Sequence, residues 1–161
     1  MKKISTLLTA ALASMLMGCL QSPLLNHANA DSLEQIQPVN AACPFEFKTL
    51  DLCATLTWVK MPTDDEKGEF VLSFFSKSSG TVKGPFIDPG YTVTSKLWMP
   101  SMGHGSSPVK ISAFKDQNGA TVTGVYNVSD VYFMMPGAWE IWVALKQGAT
   151  VVDQAKTDIS I

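Results

Sequence analysis

Residues 139–145 read WEIWVAL, and this stretch decides the fold class. Its large apolar side chains occupy every second position, at Trp139, Ile141, Val143 and Leu145. Successive side chains of a β-strand point to opposite faces, so this alternation puts four apolar groups on one face. Aromatic and β-branched residues also suit a pleated, half-buried surface. The stretch therefore predicts a strand with one face in a core.

The same period of two recurs in three other stretches of the chain. They are CATLTWV (53–59), EFVLSFF (69–75) and YTVTSKLWM (91–99). Turn-forming residues lie between strands, as in DPG at 88–90 and in DQNG at 116–119, whose Asn-Gly pair favours a tight hairpin. The pattern predicts an all-β domain over residues 43–161, an immunoglobulin-like antiparallel β-sandwich of about seven or eight strands. A partly open β-barrel is the alternative.

The first twenty residues, MKKISTLLTAALASMLMGCL, have the pattern of an export signal. A basic start precedes an apolar run of about 14 residues, shorter than the roughly 20 that a membrane span needs. Two cleavage points stay open. Residues 16–19 match a lipobox apart from Met17, which predicts a signal of residues 1–19 and a lipidated Cys19. Ala28-Asn29-Ala30 would instead end an ordinary signal of residues 1–30.

Residues 20–42 are polar, lack a clean period and predict a flexible tether. With a lipid anchor, the expected location is the periplasmic side of the outer membrane, because Leu20 rather than an aspartate follows Cys19. The ordinary signal would give a soluble periplasmic or secreted protein.

Cys43 and Cys53 remain as an even pair in a chain predicted to be exported, which favours a disulfide. The alternative is metal binding by the two thiols, but nine intervening residues match no zinc-binding spacing.

Charge and motifs argue against several classes of function. The net charge of −2 argues against sequence-independent nucleic-acid binding, which needs a basic face. The predicted domain has one histidine and carries no phosphate-binding loop, dinucleotide fingerprint or nucleophile elbow. We therefore expect a protein that is not an enzyme.

The chemically unusual segment is LWMPSMGHGSSP, residues 97–108. Thioether sulfur is soft and imidazole binds copper readily, so Met99, Met102 and His104 are candidate ligands of Cu(I) if the chain curls there. Met134 and Met135 follow in YFMMPGAW, and only one of two successive strand residues could join such a site. Met-Pro occurs three times, at 61–62, 99–100 and 135–136. The competing interpretation is packing, since methionine fills irregular gaps in cores.

Trp98 and Trp142 provide a second candidate surface. The alternation puts both on the faces opposite the predicted core faces of their strands. An exposed aromatic patch of this kind is typical of a docking surface, which predicts a metal-free protein-interaction module as the alternative function.

The segments LWMPSMGHGSSPV and FMMPGAWEIWV together resemble the YtkA-like domain family and, more distantly, FixH-like proteins. The resemblance implies a small exported β-sandwich that accompanies copper transport or the assembly of copper-containing respiratory oxidases. Residue by residue, the first family motif is matched by Met99, Met102 and His104. The second motif matches Met134 or Met135, followed by Gly137 and Trp139.

Overall fold

The computed structural model describes residues 43–161. The predicted signal, whether residues 1–19 or 1–30, the lipidation site Cys19 and the tether of residues 20–42 all lie outside the described residues.

Residues 43–161 form nine β-strands in two antiparallel sheets. The strands are β1 (Phe45–Glu46), β2 (Leu52–Lys60), β3 (Gly68–Ser76), β4 (Thr92–Met99), β5 (His104–Gly105), β6 (Lys110–Lys115), β7 (Thr121–Val131), β8 (Ala138–Gln147) and β9 (Thr150–Ser160). One sheet has the order β1-β2-β3-β7-β6 and the other the order β5-β4-β8-β9. The count exceeds the prediction because β1 and β5 are only two residues long.

The connectivity confirms the predicted immunoglobulin-like sandwich. The chain passes from the five-stranded to the four-stranded sheet after β3, returns before β6 and crosses again after β7. The strands β2, β3, β7 and β6 correspond to strands A, B, E and D of an immunoglobulin domain, while β4, β8 and β9 correspond to C, F and G.

The core lies between the two sheets and follows the alternation in the sequence. The alternating side chains of WEIWVAL, Trp139 to Leu145, are all at most 1% exposed. They face a matching row from β3, made of Phe70, Leu72 and Phe74, each fully buried. Aromatic side chains dominate this interior and meet edge to face, as Phe74 and Tyr126 do at 5.6 Å between ring centroids.

The segment that precedes β2 supplies two side chains to the core, which the period of the later strands does not reveal. The Cys43–Cys53 disulfide is formed, as predicted, with 5.6 Å between the two Cα atoms. Phe45 and Phe47 are fully buried, and Phe47 packs on Phe74. The disulfide thus fastens a short segment whose two aromatic side chains complete the core.

The loops fall into two groups at the two ends of the sandwich. We call one the Met end: it comprises loops 61–67, 100–103 with 106–109, and 132–137. The opposite end comprises loops 47–51, 77–91, 116–120 and 148–149. The predicted Asn-Gly hairpin is there, with Gly119 at φ +80°. In residues 43–161 we find no helix with the length and apolar character needed to cross a membrane.

Candidate soft-metal site at the Met end

All five methionines of residues 43–161 lie at the Met end or at the strand end that borders it. The three Met-Pro pairs contain Met61, Met99 and Met135. The other two methionines, Met102 and Met134, lie in loops 100–103 and 132–137. His104 is the histidine of this range and lies at the same end. The fold therefore gathers soft donors from three separate segments of the chain.

Met99 and His104 face each other across a tight hairpin. They are paired residues of β4 and β5, and side chains of directly opposed residues lie on the same face of a sheet, with Cβ atoms about 5 Å apart. The N–H groups of Met102 and Gly103 donate to the Met99 carbonyl over 3.2 and 3.0 Å. The predicted curl therefore exists, and it places Met102 at the tip.

The two glycines of this hairpin have different roles. Gly103 has a φ of +65°, which glycine adopts without strain. Gly105 is instead needed for close packing, because a Cβ there would lie 2.8 Å from the Leu97 carbonyl oxygen.

The second methionine loop is held by the core. The indole Nε1–H of Trp139 donates to the Met135 carbonyl over 2.9 Å, and the Trp139 ring is only 1% exposed. Gly137 forms two backbone hydrogen bonds with Ile161, of 2.9 and 3.0 Å, which close the loop on the chain end. A Cβ on Gly137 would lie 2.8 Å from the methyl carbon Cε of Met99. The two methionine loops thus touch.

Further contacts join all three loops of the Met end. The hydroxyl of Ser106 donates to the Tyr132 carbonyl. The Tyr132 hydroxyl in turn lies 3.5 Å from the Asp64 carbonyl oxygen in loop 61–67. Asp64 and Asp65 are exposed there and form no ion pair within residues 43–161. The Met end is therefore one connected surface with carboxylates at one side.

Burial divides the candidate ligands into two kinds. Met99 is 6% exposed and packs in the core, so it also fulfils the packing interpretation. Met135 and His104 are half-buried. Met102 and Met134 are 56% and 53% exposed, more than any large apolar residue of the described chain except Val59. Met61 is half-buried against the core.

His104 is oriented by its own strand. Its Nδ1 lies 3.3 Å from the Gly105 carbonyl oxygen. When Nδ1 carries the proton and donates there, Nε2 presents its lone pair, and this is the usual arrangement for a metal-binding imidazole. No group of three or more His, Cys, Asp or Glu side chains that could hold a metal ion is present in the described part of the chain.

Trp98 and Trp142 lie on the outer face of the four-stranded sheet, as the alternation predicts, but lysines cover them. The Lys96 ammonium lies 5.4 Å from the Trp98 ring centroid and 5.1 Å from that of Trp142. Both indoles are consequently half-buried. Trp142 also forms one wall of a groove of about 240 Å³.

A carboxylate completes this outer face. Glu140 accepts hydrogen bonds from the Lys156 ammonium and from the Trp142 indole. The bond from Lys156 is the main cause that lowers the pKa of Glu140 below its usual value; partial burial opposes it, and Trp142 assists. The charges of Glu140 and Lys156 are therefore paired with each other, and the Trp142 N–H has an acceptor.

The chain matches no family model, no curated protein and no solved structure. The YtkA-like resemblance and the copper ligands that it implies therefore stay predictions.

Proposed function

We propose that the protein is a non-enzymatic module of the bacterial envelope, attached through a lipid on Cys19, that binds Cu(I) at its Met end. The observation that supports the proposal is the gathering of five thioethers and one imidazole at a single end of the sandwich. Thioether and imidazole are donors that suit Cu(I). The resemblance to YtkA-like proteins adds envelope copper-transport or oxidase-assembly proteins as the expected partners.

Met99, Met102 and His104 would supply the first three donors. Met99 and His104 share a face of the hairpin, and Met102 follows within the same turn. Because Met135 is half-buried and belongs to the loop that touches Met99, it is a better fourth donor than the exposed Met134. The neutral thioethers leave the +1 charge on the ion.

The deciding experiment is an anaerobic Cu(I) titration of the protein without its signal segment, against a competing chelator. The variant combines Met99→Leu, Met102→Leu and His104→Ala, since leucine conserves the volume of methionine and keeps the core filled. We expect one tightly held equivalent in the parent and none in the variant. The matched control is Met61→Leu, which removes a thioether at the same end from outside the motif.

The metal-free interaction module is the second candidate, and its supporting observation is the groove beside Trp142. If the folded parent holds no Cu(I), the copper proposal is wrong and this candidate takes its place. Lysine coverage of both indoles weakens it, because a docking surface is expected to expose its aromatic anchors.

A further inference from the structure

Each methionine loop of the Met end carries one exposed and one shielded thioether. In the first loop these are Met102, at 56% exposure, and Met99, at 6%. In the second they are Met134, at 53%, and the half-buried Met135. The same division in two unrelated segments separates the donors into an inner and an outer pair.

We propose that the outer pair, Met102 and Met134, is the exchange site through which Cu(I) passes between the inner donors and a partner with thiolate ligands. This inference rests on the proposed function and adds a direction of transfer to it. Met99, Met135 and His104 keep the ion in the protein, whereas Met102 and Met134 are the donors that a partner can reach. Met102 thus both binds the ion and passes it on.

Only the outer thioethers are accessible to a second protein. Copper exchange between two proteins proceeds through a shared intermediate in which the incoming ligand bonds to the ion before the outgoing one leaves. Met99 cannot take part in such an intermediate, because its methyl group packs beneath Gly137 and its side chain lies in the core. Met102 and Met134 are open to a second protein over more than half of their surface.

Each outer methionine also lies next to its inner partner in the same loop. The turn that returns to the Met99 carbonyl holds Met102 close to its inner partner, and Met134 directly precedes Met135. The Ser106–Tyr132 hydrogen bond and the contact between Met99 and Gly137 keep the two loops side by side. Each outer methionine therefore belongs to the same turn as its inner partner or is its neighbour in the chain.

The step itself involves no electron transfer. A bond from Cu(I) to an outer thioether breaks, and a bond from Cu(I) to the acceptor's thiolate forms; a thiol acceptor loses its proton to water. The metal stays Cu(I), and both methionines leave the step unchanged.

The test asks whether each substitution makes Cu(I) release faster or slower. Removing a ligand that only holds the ion makes release faster, whereas removing an exchange ligand makes release slower. Met102 also helps to hold the ion, so its loss alone would speed release. We nevertheless expect Met102→Leu combined with Met134→Leu to slow transfer from the loaded protein to a dithiol acceptor, followed anaerobically by stopped flow, about tenfold or more. If the double variant cannot be loaded, Met134→Leu alone should slow transfer. Met99→Leu should speed transfer instead, and Met61→Leu should leave it unchanged.

The outcomes separate a failure of the exchange site from a failure of the copper site. If the parent binds Cu(I) but the outer double variant releases it as fast as the parent or faster, the exchange site is wrong and the copper site stands. If the folded parent binds no Cu(I), the proposed function and the exchange site fall together. Thermal unfolding of each variant confirms that a change in rate does not come from a change in fold.

Discussion

Carboxylates tie the loops at the opposite end of the sandwich, whereas thioethers and one indole fill the Met end. Asp51 accepts hydrogen bonds from the hydroxyls of Ser76 and Ser78, both 2.6 Å long. Asp153 accepts two bonds of 2.7 Å from the backbone and hydroxyl of Thr49. At the Met end, Asp130 pairs with Lys67 and Lys110, but this end also carries five methionine sulfurs, for which no hydrogen bond is found within residues 43–161.

The difference shows which groups have lone pairs that no hydrogen bond within residues 43–161 uses. Asp51 and Asp153 are each bonded by another segment of the chain, so their role in the fold is explained. A thioether is a weak hydrogen-bond acceptor but a good ligand for soft metals. Five such groups together contribute packing and leave their lone pairs available. The following four predictions test this contrast, from the largest expected effect to the smallest.

Replacing Trp139 should have the largest effect, because its ring supports the core and its N–H holds the Met135 loop. We expect Trp139→Ala to lower the free energy of unfolding by about 3–5 kcal/mol in urea titrations. Phe47→Ala, at the opposite end, should cost a similar amount. Only Trp139→Ala should also weaken Cu(I) binding in the folded state; equal affinities in the two variants would contradict the contrast.

A pair of glycine substitutions sharpens the comparison. Gly148 at the opposite end has a φ of +60° and open space around its Cα, so Gly148→Ala should cost about 1–2 kcal/mol of backbone strain. Gly137→Ala adds a contact of 2.8 Å with the methyl end of Met99 to a φ of +135°. That end of the side chain can move, so we expect overpacking to add only about 1 kcal/mol. In Met99→Ala, the second cost should vanish. If Gly137→Ala costs as much in the Met99→Ala background as in the parent, the loops do not touch.

Acid should weaken the opposite end of the sandwich through protonation of Asp153. Burial by itself would raise the pKa of Asp153, but the bonds from Thr49 and neighbouring backbone N–H groups outweigh it and lower the pKa. A carboxylate with a lowered pKa stabilises the fold above its unfolded pKa of about 3.9 and loses this contribution as pH falls through the folded value. Asp153→Asn should therefore cost about 1–3 kcal/mol at pH 7 and less below pH 4.

The pH profile of Asp153→Asn should become weaker than that of the parent but not flat. Asp51 also has a lowered pKa, chiefly because the hydroxyls of Ser76 and Ser78 bond to it. An unchanged slope of unfolding free energy against pH, measured by urea titration between pH 2 and 5, would show that Asp153 does not carry this dependence.

Peroxide should discriminate within the Met end with little effect on stability. Exposed thioethers oxidise to sulfoxides before buried ones. We expect Met102 and Met134 to react first and Met99 last, as read by mass spectrometry of peptides, with a change in unfolding free energy within about 0.5 kcal/mol. In urea, all five should react alike. Rapid oxidation of Met99 in the native protein would contradict its place in the core.

Local patterns in the sequence predicted most of the fold. Alternation in β2, β3, β4 and β8 placed their core faces correctly, since each face can be buried only if the period of two is kept. The Asn-Gly turn and the cysteine pair were equally local signals. Phe45 and Phe47 were not found, because FEF is too short a run to show a period.

The candidate site depends on contacts that no local pattern contains. The residue types in Met-Pro-Ser-Met-Gly-His indicate soft chemistry, but the burial of Met99 follows from how loop 132–137 covers it. Similarly, the period of two in β3 puts Phe75 on the face opposite to Phe74, yet Phe75 is 2% exposed because the turn at Gly80 folds back over it. Such coverage joins residues far apart in sequence, so only the folded chain reveals it.

The backbone pairing of Ile161 with Gly137 has a practical consequence for protein chemistry. A purification tag fused after Ile161 would emerge beside the Met99 hairpin and the Met135 loop. A polyhistidine tag at that position would bring its own imidazoles to the candidate site and compete for the very ion being titrated. Affinity handles for copper experiments therefore belong on the amino-terminal side or must be cleaved off.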